Sequence, residues 1–198
     1  MLLTWILIGT FCFSSPTERY NLAIVDFTHP VKETNRYGQQ GPKELRADKA
    51  VEILMVNLGQ YLQSDFQLVE RDKVQLIFEE QTLVESNKLD PETAARLGKM
   101  TGAEYLLTGM MTELNSDSKV FSGYDIGTKT TTCRMAVTFR LLHTTTGEVF
   151  AVGEADAEKR YRGDPSMDTY LRDLTRIISR KVSDQSGKFF KMYRDAAN

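Results

Sequence analysis

The chain has 198 residues, of which 41% are hydrophobic and 26% are charged, and its formal net charge is −2. This length corresponds to about one domain or a small pair of domains, and the composition excludes disorder over most of the chain. The sequence pI of about 5.8 argues against a nucleic-acid-binding protein, because such proteins present a strongly basic surface.

The first feature along the chain is an apolar run from Leu2 to Phe13. It is shorter than the ~18 residues that a membrane-spanning helix needs, and it fits the apolar core of a secretory signal. We therefore expect residues 1–14 to be an export segment and residues 15–198 to form the exported domain. Cys12 is a candidate lipidation site, but a phenylalanine precedes it where a lipoprotein signal has a small residue, so simple cleavage is the favoured interpretation.

The chain contains only two cysteines and two histidines. A chain that begins after the export segment keeps Cys133 alone, so it can form no internal disulfide. This count also excludes a zinc site made of Cys and His ligands, and no carboxylate-rich loop has the EF-hand spacing. We therefore expect neither a metal site nor a cofactor.

Strands and helices alternate in the first half. The continuous apolar residues 22–25 predict a buried strand, and residues 28–46, with their prolines, glycines and scattered charges, predict a long loop. Apolar positions at three- and four-residue steps from Ala47 to Leu62 predict the first helix. Four further elements are predicted before residue 110: a strand at 66–69, a helix at 71–84, a short helix from Asp90 to about Gly102, and a strand at 104–109.

The second half changes to an alternating pattern. Residues 135–141 and 149–155 alternate on either side of a Gly-containing turn, which predicts a β-hairpin. From about Ser166, apolar residues at helical spacing predict a terminal helix that packs on the sheet. Together these elements predict an α/β fold, in which helices cover a mixed β-sheet within a single domain.

No catalytic motif is present: the sequence lacks a nucleophile elbow, a phosphate-binding loop and a dinucleotide fingerprint. Glu79 and Glu80 are adjacent, and adjacent helical residues diverge by about 100°, so they do not share a site. His29 and His143 are expected in exposed loops, and Cys133 is expected to be a buried, unreactive strand residue. We therefore expect that the protein is not an enzyme.

Two surface features remain as candidate binding sites. Three arginines at four-residue spacing on the last predicted helix form one ridge, called the arginine ridge below: Arg172, Arg176 and Arg180. Residues 158–198 hold 10 Lys or Arg against 6 Asp or Glu. The ridge is either a solvated ion-pair ladder that starts at Asp168, the favoured interpretation, or a recognition surface for an acidic partner. The long loop contains Arg36 and Tyr37, and loops on rigid scaffolds often bind partners.

Six segments occur in a fixed order: LAIVDF (22–27), FQLVER (66–71), LIFEEQ (76–81), DPETAARLGK (90–99), GAEYLLTG (102–109) and TGEV (146–149). This set resembles the CsgG/HfaB family of curli-secretion and holdfast-anchoring proteins, which is related to LpoB, a lipoprotein activator of peptidoglycan synthases. The resemblance covers roughly residues 20–160. It implies a periplasmic α/β domain like the N-terminal domain of TolB, envelope protein partners and no catalysis.

The favoured hypothesis is a non-catalytic, exported accessory protein that binds and organises cell-envelope assembly or secretion machinery. Its expected location is the periplasm, with two open options: attachment to the inner face of the outer membrane through the N-terminus, and self-association into a homo-oligomer. The alternative is an oligomeric outer-membrane secretion-channel subunit of the curli type, in which Asn115–Thr132 and Glu154–Gly163 become membrane hairpins. Both stretches are polar and charged, whereas membrane strands need an apolar face.

Overall fold

The computed structural model of the chain describes residues 19–29, 42–69, 96, 98–123 and 126–197. Its main elements are β1 (Asn21–Thr28), α1 (Pro42–Leu62), β2 (Gln67–Leu68), β3 (Tyr105–Gly123), β4 (Ile126–His143), β5 (Val149–Arg162) and α2 (Met167–Ala197). Residues 98–101 are also helical. The export segment, the helix predicted at 71–84 and the helix start predicted at Asp90 lie outside the described residues.

The five strands form one sheet in the order β2-β1-β3-β4-β5. β1 runs parallel to β2 and β3, whereas β3, β4 and β5 are successively antiparallel. This difference follows the connections, because antiparallel neighbours can be joined by a short turn and parallel neighbours need a crossover. The prediction of a mixed sheet covered by helices in a single domain is confirmed.

The main core lies between one face of the sheet and the two helices. Its largest fully buried side chains come from both layers: Leu54, Leu58, Leu107, Met135, Phe139, Leu141 and Leu171. Successive strand residues point to opposite faces, so Leu106 and Leu142 belong to a smaller cluster on the other face. Both faces of the central strands are thus buried near the start of β3.

Aromatic rings close the core at the end where α2 finishes. The Tyr105 ring centroid lies 4.6 Å from that of Phe190, nearly perpendicular to it, and 5.2 Å from that of Phe150. Such edge-to-face contacts add to the stabilisation that burial itself provides. Burial also raises the pKa of Tyr105 to about 12, so this ring stays neutral at physiological pH.

β3 and β4 form a hairpin whose strands are longer than the sequence pattern predicts, since that pattern indicates strands only at 104–109 and 135–141. The two strands pair continuously from Tyr105↔His143 to Gly123↔Ile126, apart from one bulge near Met111. β1 accompanies β3 only as far as Met110. Residues 112–123 of β3, called the β3 arm below, therefore extend beyond β1.

Both ends of the predicted long loop lie in regular secondary structure. Thr28 still belongs to β1, and α1 already begins at Pro42, so the expected loop boundaries at 28 and 46 were wrong. Proline suits the first turn of a helix because the N–H that it lacks would have no partner there.

Side chains of α2 cover the outer edge of β5. Lys181 Nζ donates a hydrogen bond to the Asp156 carbonyl oxygen at 2.7 Å, and Gln185 Nε2 donates one to the Glu154 carbonyl oxygen at 2.8 Å. An edge strand with free backbone groups is a template for pairing with another chain. The helix therefore blocks this part of the β5 edge.

We expect two glycine substitutions to change stability in opposite directions. Gly59→Ala should raise the free energy of unfolding by about 0.5–1 kcal/mol, because glycine destabilises a helix interior and the added methyl group meets no atom within 4 Å. Gly109→Ala should lower it by about 1–3 kcal/mol through overpacking, because its Cβ would lie 2.6 Å from the Thr138 carbonyl oxygen. Urea denaturation of both variants measures the difference, and equal shifts would contradict the packing described.

Candidate functional site

The arginine ridge lies on the exposed face of α2. The buried face of this helix presents apolar residues to the sheet and to α1: Tyr170, Leu171, Leu174, Ile178 and Val182. The three ridge arginines are exposed. Because residues four apart lie on one face of an α-helix, their guanidinium groups follow one line along the surface.

The carboxylates beside the ridge bind lysine side chains instead of the ridge arginines. Asp168 accepts a hydrogen bond from Lys49 Nζ of α1 at 2.6 Å, which is the main cause of its lowered pKa. Asp173 accepts one from Lys159 Nζ of β5 at 2.7 Å. Within the described residues no carboxylate lies within ion-pair distance of a ridge arginine, so the ion-pair ladder from Asp168 is not formed there.

Asp173 anchors the ridge segment of α2 to β5. Besides Lys159, the Tyr161 hydroxyl donates to the Asp173 carboxylate at 2.8 Å. The Lys159 hydrogen bond is the largest cause that lowers the pKa of Asp173, and burial followed by this acceptor raises the pKa of Tyr161. The cluster holds α2 in a fixed rotation, which keeps the ridge directed towards solvent.

The face of β4 and β5 that points away from the core is charged, as the sequence pattern indicates. Glu154, Asp156 and Glu158 are all exposed. Arg134 Nε donates to Glu158 at 2.8 Å, and Arg160 Nη2 lies 3.3 Å from the same carboxylate. The hydrogen bond from Arg134 is the largest cause of the lowered pKa of Glu158. This face is therefore a solvated network of ion pairs.

A cleft that the sequence does not indicate opens between α1, the β3 arm and α2. It has a volume of about 500 Å³ and is lined by Arg46, Ala47, Tyr170 and residues 112–117. Its walls come from distant parts of the chain, and the polar stretch 112–117 has no apolar period, so no sequence signal points to it.

His29 is largely shielded rather than exposed, contrary to the sequence interpretation. Its side chain is 13% exposed, and its Nε2 lies 2.7 Å from Asp48 Oδ1. The buried Nδ1 atom has no hydrogen-bond partner among the described residues. The pairing joins the residue that follows β1 to α1, and it could not be inferred because the two residues are 19 positions apart in sequence.

Other candidate chemistry is limited in the part of the chain that the structure covers. Cys133 is fully buried in β4, as predicted, with its Sγ 3.6 Å from Ser116 Oγ. No group of three or more His, Cys, Asp or Glu side chains among these residues could hold a metal ion. No helix among them is long and apolar enough to span a membrane. Arg36, Tyr37 and Cys12 lie outside the described residues and remain predictions.

The fold and its surfaces define an α/β domain whose described part presents a charged ridge and a long strand arm. The family model for the curli production assembly/transport component CsgG matches residues 10–164. The chain belongs to the CsgG family, which confirms the resemblance found in the sequence. No curated protein matches the chain.

Solved structures resemble this chain at low sequence identity. A putative neuraminyllactose-binding hemagglutinin homolog from Helicobacter pylori is 10% identical with a TM-score of 0.50, over 98% of this chain and 96% of that chain. The lipoprotein GNA1162 from Neisseria meningitidis is 13% identical with a TM-score of 0.47, over 83% and 99%. The LpoB C-terminal domain from Salmonella enterica is 18% identical with a TM-score of 0.42, over 74% and 87%. The first of these supports the fold.

We expect Asp173 to make stability depend on acid pH. Its pKa is lowered in the folded state, so its contribution is present above the ordinary carboxyl pKa of about 3.9 and is lost as pH falls through the lowered value. Asp173→Asn should lower the free energy of unfolding by about 1–2 kcal/mol at pH 7 and flatten its decrease below pH ~4.

Urea denaturation between pH 7 and pH 3 measures both effects. Asp184→Asn, a change at an exposed position of the same helix, is the matched control and should leave stability nearly unchanged. If the free energy of unfolding fell equally steeply with decreasing pH in Asp173→Asn and in the unmodified chain, the role of this carboxylate would be contradicted.

Proposed function

We propose that the protein is a non-catalytic envelope accessory protein that binds and organises cell-envelope assembly or secretion machinery. The observation that supports this most directly is the arginine ridge, whose exposed guanidinium groups have no carboxylate within ion-pair distance among the described residues, although Asp168 and Asp173 attract Arg172 and Arg176 at longer range. Membership in a family described as an assembly and transport component supports the envelope role.

An acidic protein surface is the partner that this ridge would recognise. Guanidinium groups bind carboxylates in a planar, two-bonded geometry, and an aligned set of positive charges accelerates encounter with a negative surface. Because the neighbouring acids already bind Lys49 and Lys159, a partner would not have to displace internal ion pairs.

The fixed position of α2 favours this function as well. Lys49 of α1 binds Asp168, and Lys159 and Tyr161 of β5 bind Asp173. The ridge therefore lies on a helix that is held from two sides. Because the helix is already ordered, little conformational entropy is lost when a partner binds. Arg36 and Tyr37, in the long loop, are proposed as a second contact.

The periplasm is the location that we propose, with residues 1–14 as the export segment. Attachment to the inner face of the outer membrane would require lipidation of Cys12, and simple cleavage remains the favoured alternative. Catalysis forms no part of the proposal, since neither the sequence motifs nor the described surfaces suggest a nucleophile with a base.

Two observations favour this function over a secretion-channel subunit. Each hairpin stretch contributes a charged side chain to an ion pair with a residue just outside it, Lys129 with Asp164 and Glu158 with Arg134, and lipid-facing charges destabilise membrane strands. In addition, Lys181 and Gln185 would have to leave the β5 edge before a strand of another subunit could pair there.

We expect the triple change Arg172→Gln, Arg176→Gln and Arg180→Gln to alter binding but not folding. Exposed charges contribute little to stability, so the unfolding midpoint should barely move. Association with the partner should slow, and its salt dependence should weaken, because steering by exposed charges is screened by salt.

The experiment uses a partner captured from a cell-envelope extract with the unmodified chain, followed by association rates at low and high salt. Lys188→Gln with Lys191→Gln removes positive charge elsewhere on α2 and is the matched control. An unchanged association rate at low salt for the ridge variant would overturn the role of the ridge and leave Arg36 and Tyr37 as the candidates.

For the N-terminus, we expect Cys12→Ser to leave the distribution of the exported protein between the membrane and soluble fractions unchanged. Simple cleavage would remove this residue, so its side chain would have no role in the mature protein. Mass spectrometry of the mature N-terminus measures this directly, and an acylated Cys12 would refute simple cleavage.

A further inference from the structure

The β3 arm has one backbone edge without a strand partner in the described part of the chain. β1 pairs with β3 up to Met110, whereas β4 pairs with it up to Gly123. The side chains of residues 115–120 are all exposed. A free edge of this length is a template for the addition of another strand.

The other two edges of the sheet are less suited to pairing. β2 consists of two residues, Gln67 and Leu68. The β5 edge is occupied by Lys181 and Gln185 of α2. Among the described strands, the β3 arm is thus the long edge that remains available.

We propose that two copies of the chain pair through their β3 arms, antiparallel, around a two-fold axis that passes beside Ser118. In such an interface the same surface of both copies meets itself. Ser118 is the midpoint of residues 113–123, so this register pairs the whole β3 arm except Thr112.

The end of β1 limits how far the partner strand can extend along β3. A centre at Ser116 would place Ser122 of one copy opposite Met110 of the other, where Thr28 of β1 already pairs. With the centre at Ser118, Gly123 lies opposite Glu113, and the partner strand stops before it reaches β1.

The charges along the arm are complementary in this register. Asp117 of one copy lies opposite Lys119 of the other, and the symmetry produces this pair twice. Lys119 makes no ion pair with the described residues, and the ion pair of Asp117 is a long one, 3.8 Å from its carboxylate to Arg134 Nη1. Opposite charges placed across two strands stabilise their pairing, and like charges destabilise it.

Analytical ultracentrifugation of the chain, purified with its own N-terminal segment, tests this interface. Lys119→Glu places like charges opposite each other at both symmetry-related positions, so the dimer dissociation constant should rise about tenfold or more. Asp117→Lys should weaken the dimer similarly. The double variant Asp117→Lys with Lys119→Asp should restore it, whereas Lys188→Glu, the same charge change on α2, should have no effect.

A crosslink measures the register independently of the charges. Opposed Cα atoms in antiparallel strands are about 4.5–5.5 Å apart, within the range of a disulfide. Ser118→Cys in a Cys12→Ser chain should therefore form an intermolecular disulfide on mild oxidation, whereas Thr145→Cys, exposed in the turn between β4 and β5, should not.

A chain that stays monomeric and forms no crosslink through position 118 would overturn the proposal. A dimer that is insensitive to Lys119→Glu would place the interface elsewhere and overturn it equally. Protection of the β3 arm from hydrogen exchange only after addition of an envelope extract would assign the edge to a different protein. The ridge variant should dimerise normally, so this test is separate from that of the proposed function.

Discussion

Helix α2 packs on the sheet and on α1 along its buried face, and most of the other contacts depend on this packing. Its apolar residues fill the main core, while its small polar residues allow α1 to approach closely: Thr175, Ser179, Ser183 and Ser186 are all buried. Asn57 of α1 donates a hydrogen bond to Thr175 Oγ1 at 2.9 Å, and Ser183 donates one to the Tyr61 carbonyl oxygen at 3.3 Å. These contacts fix both the position and the rotation of the helix.

That rotation has opposite effects on the two sides of the helix. Lys181 and Gln185 reach the carbonyl groups of β5 and close its edge, whereas the arginine ridge points away from the sheet. The edge of the β3 arm is open for a different reason, because β1 pairs with β3 only as far as Met110. Among the described strands, one edge of the sheet is therefore covered by a helix and another is left without a strand partner.

Burial explains how much of the fold could be predicted from the sequence. Helices α1 and α2 and the inner parts of β4 and β5 have an apolar period because one face of each meets the core, and α2 could be assigned with its ridge for that reason. β1 is continuously apolar because clusters on both faces of the sheet bury its residues. The β3 arm is polar on both faces, so its strand pairing leaves no period to detect. The contact of His29 with Asp48 and the partners of Asp168 and Asp173 depend on tertiary packing, which spacing along the chain does not encode.

Pairing through the β3 arms would change what the ridge can do. A two-fold axis perpendicular to the sheet keeps α2 of both copies on the same side, so two ridges would face one partner surface. Exposed arginine contacts are individually weak and are screened by salt. When two such sites are joined, the second binding step becomes intramolecular, and the overall affinity exceeds that of either site without any new type of contact. A pair of weak ridges is then sufficient for stable attachment to an acidic assembly that itself repeats, whereas a single ridge would exchange rapidly.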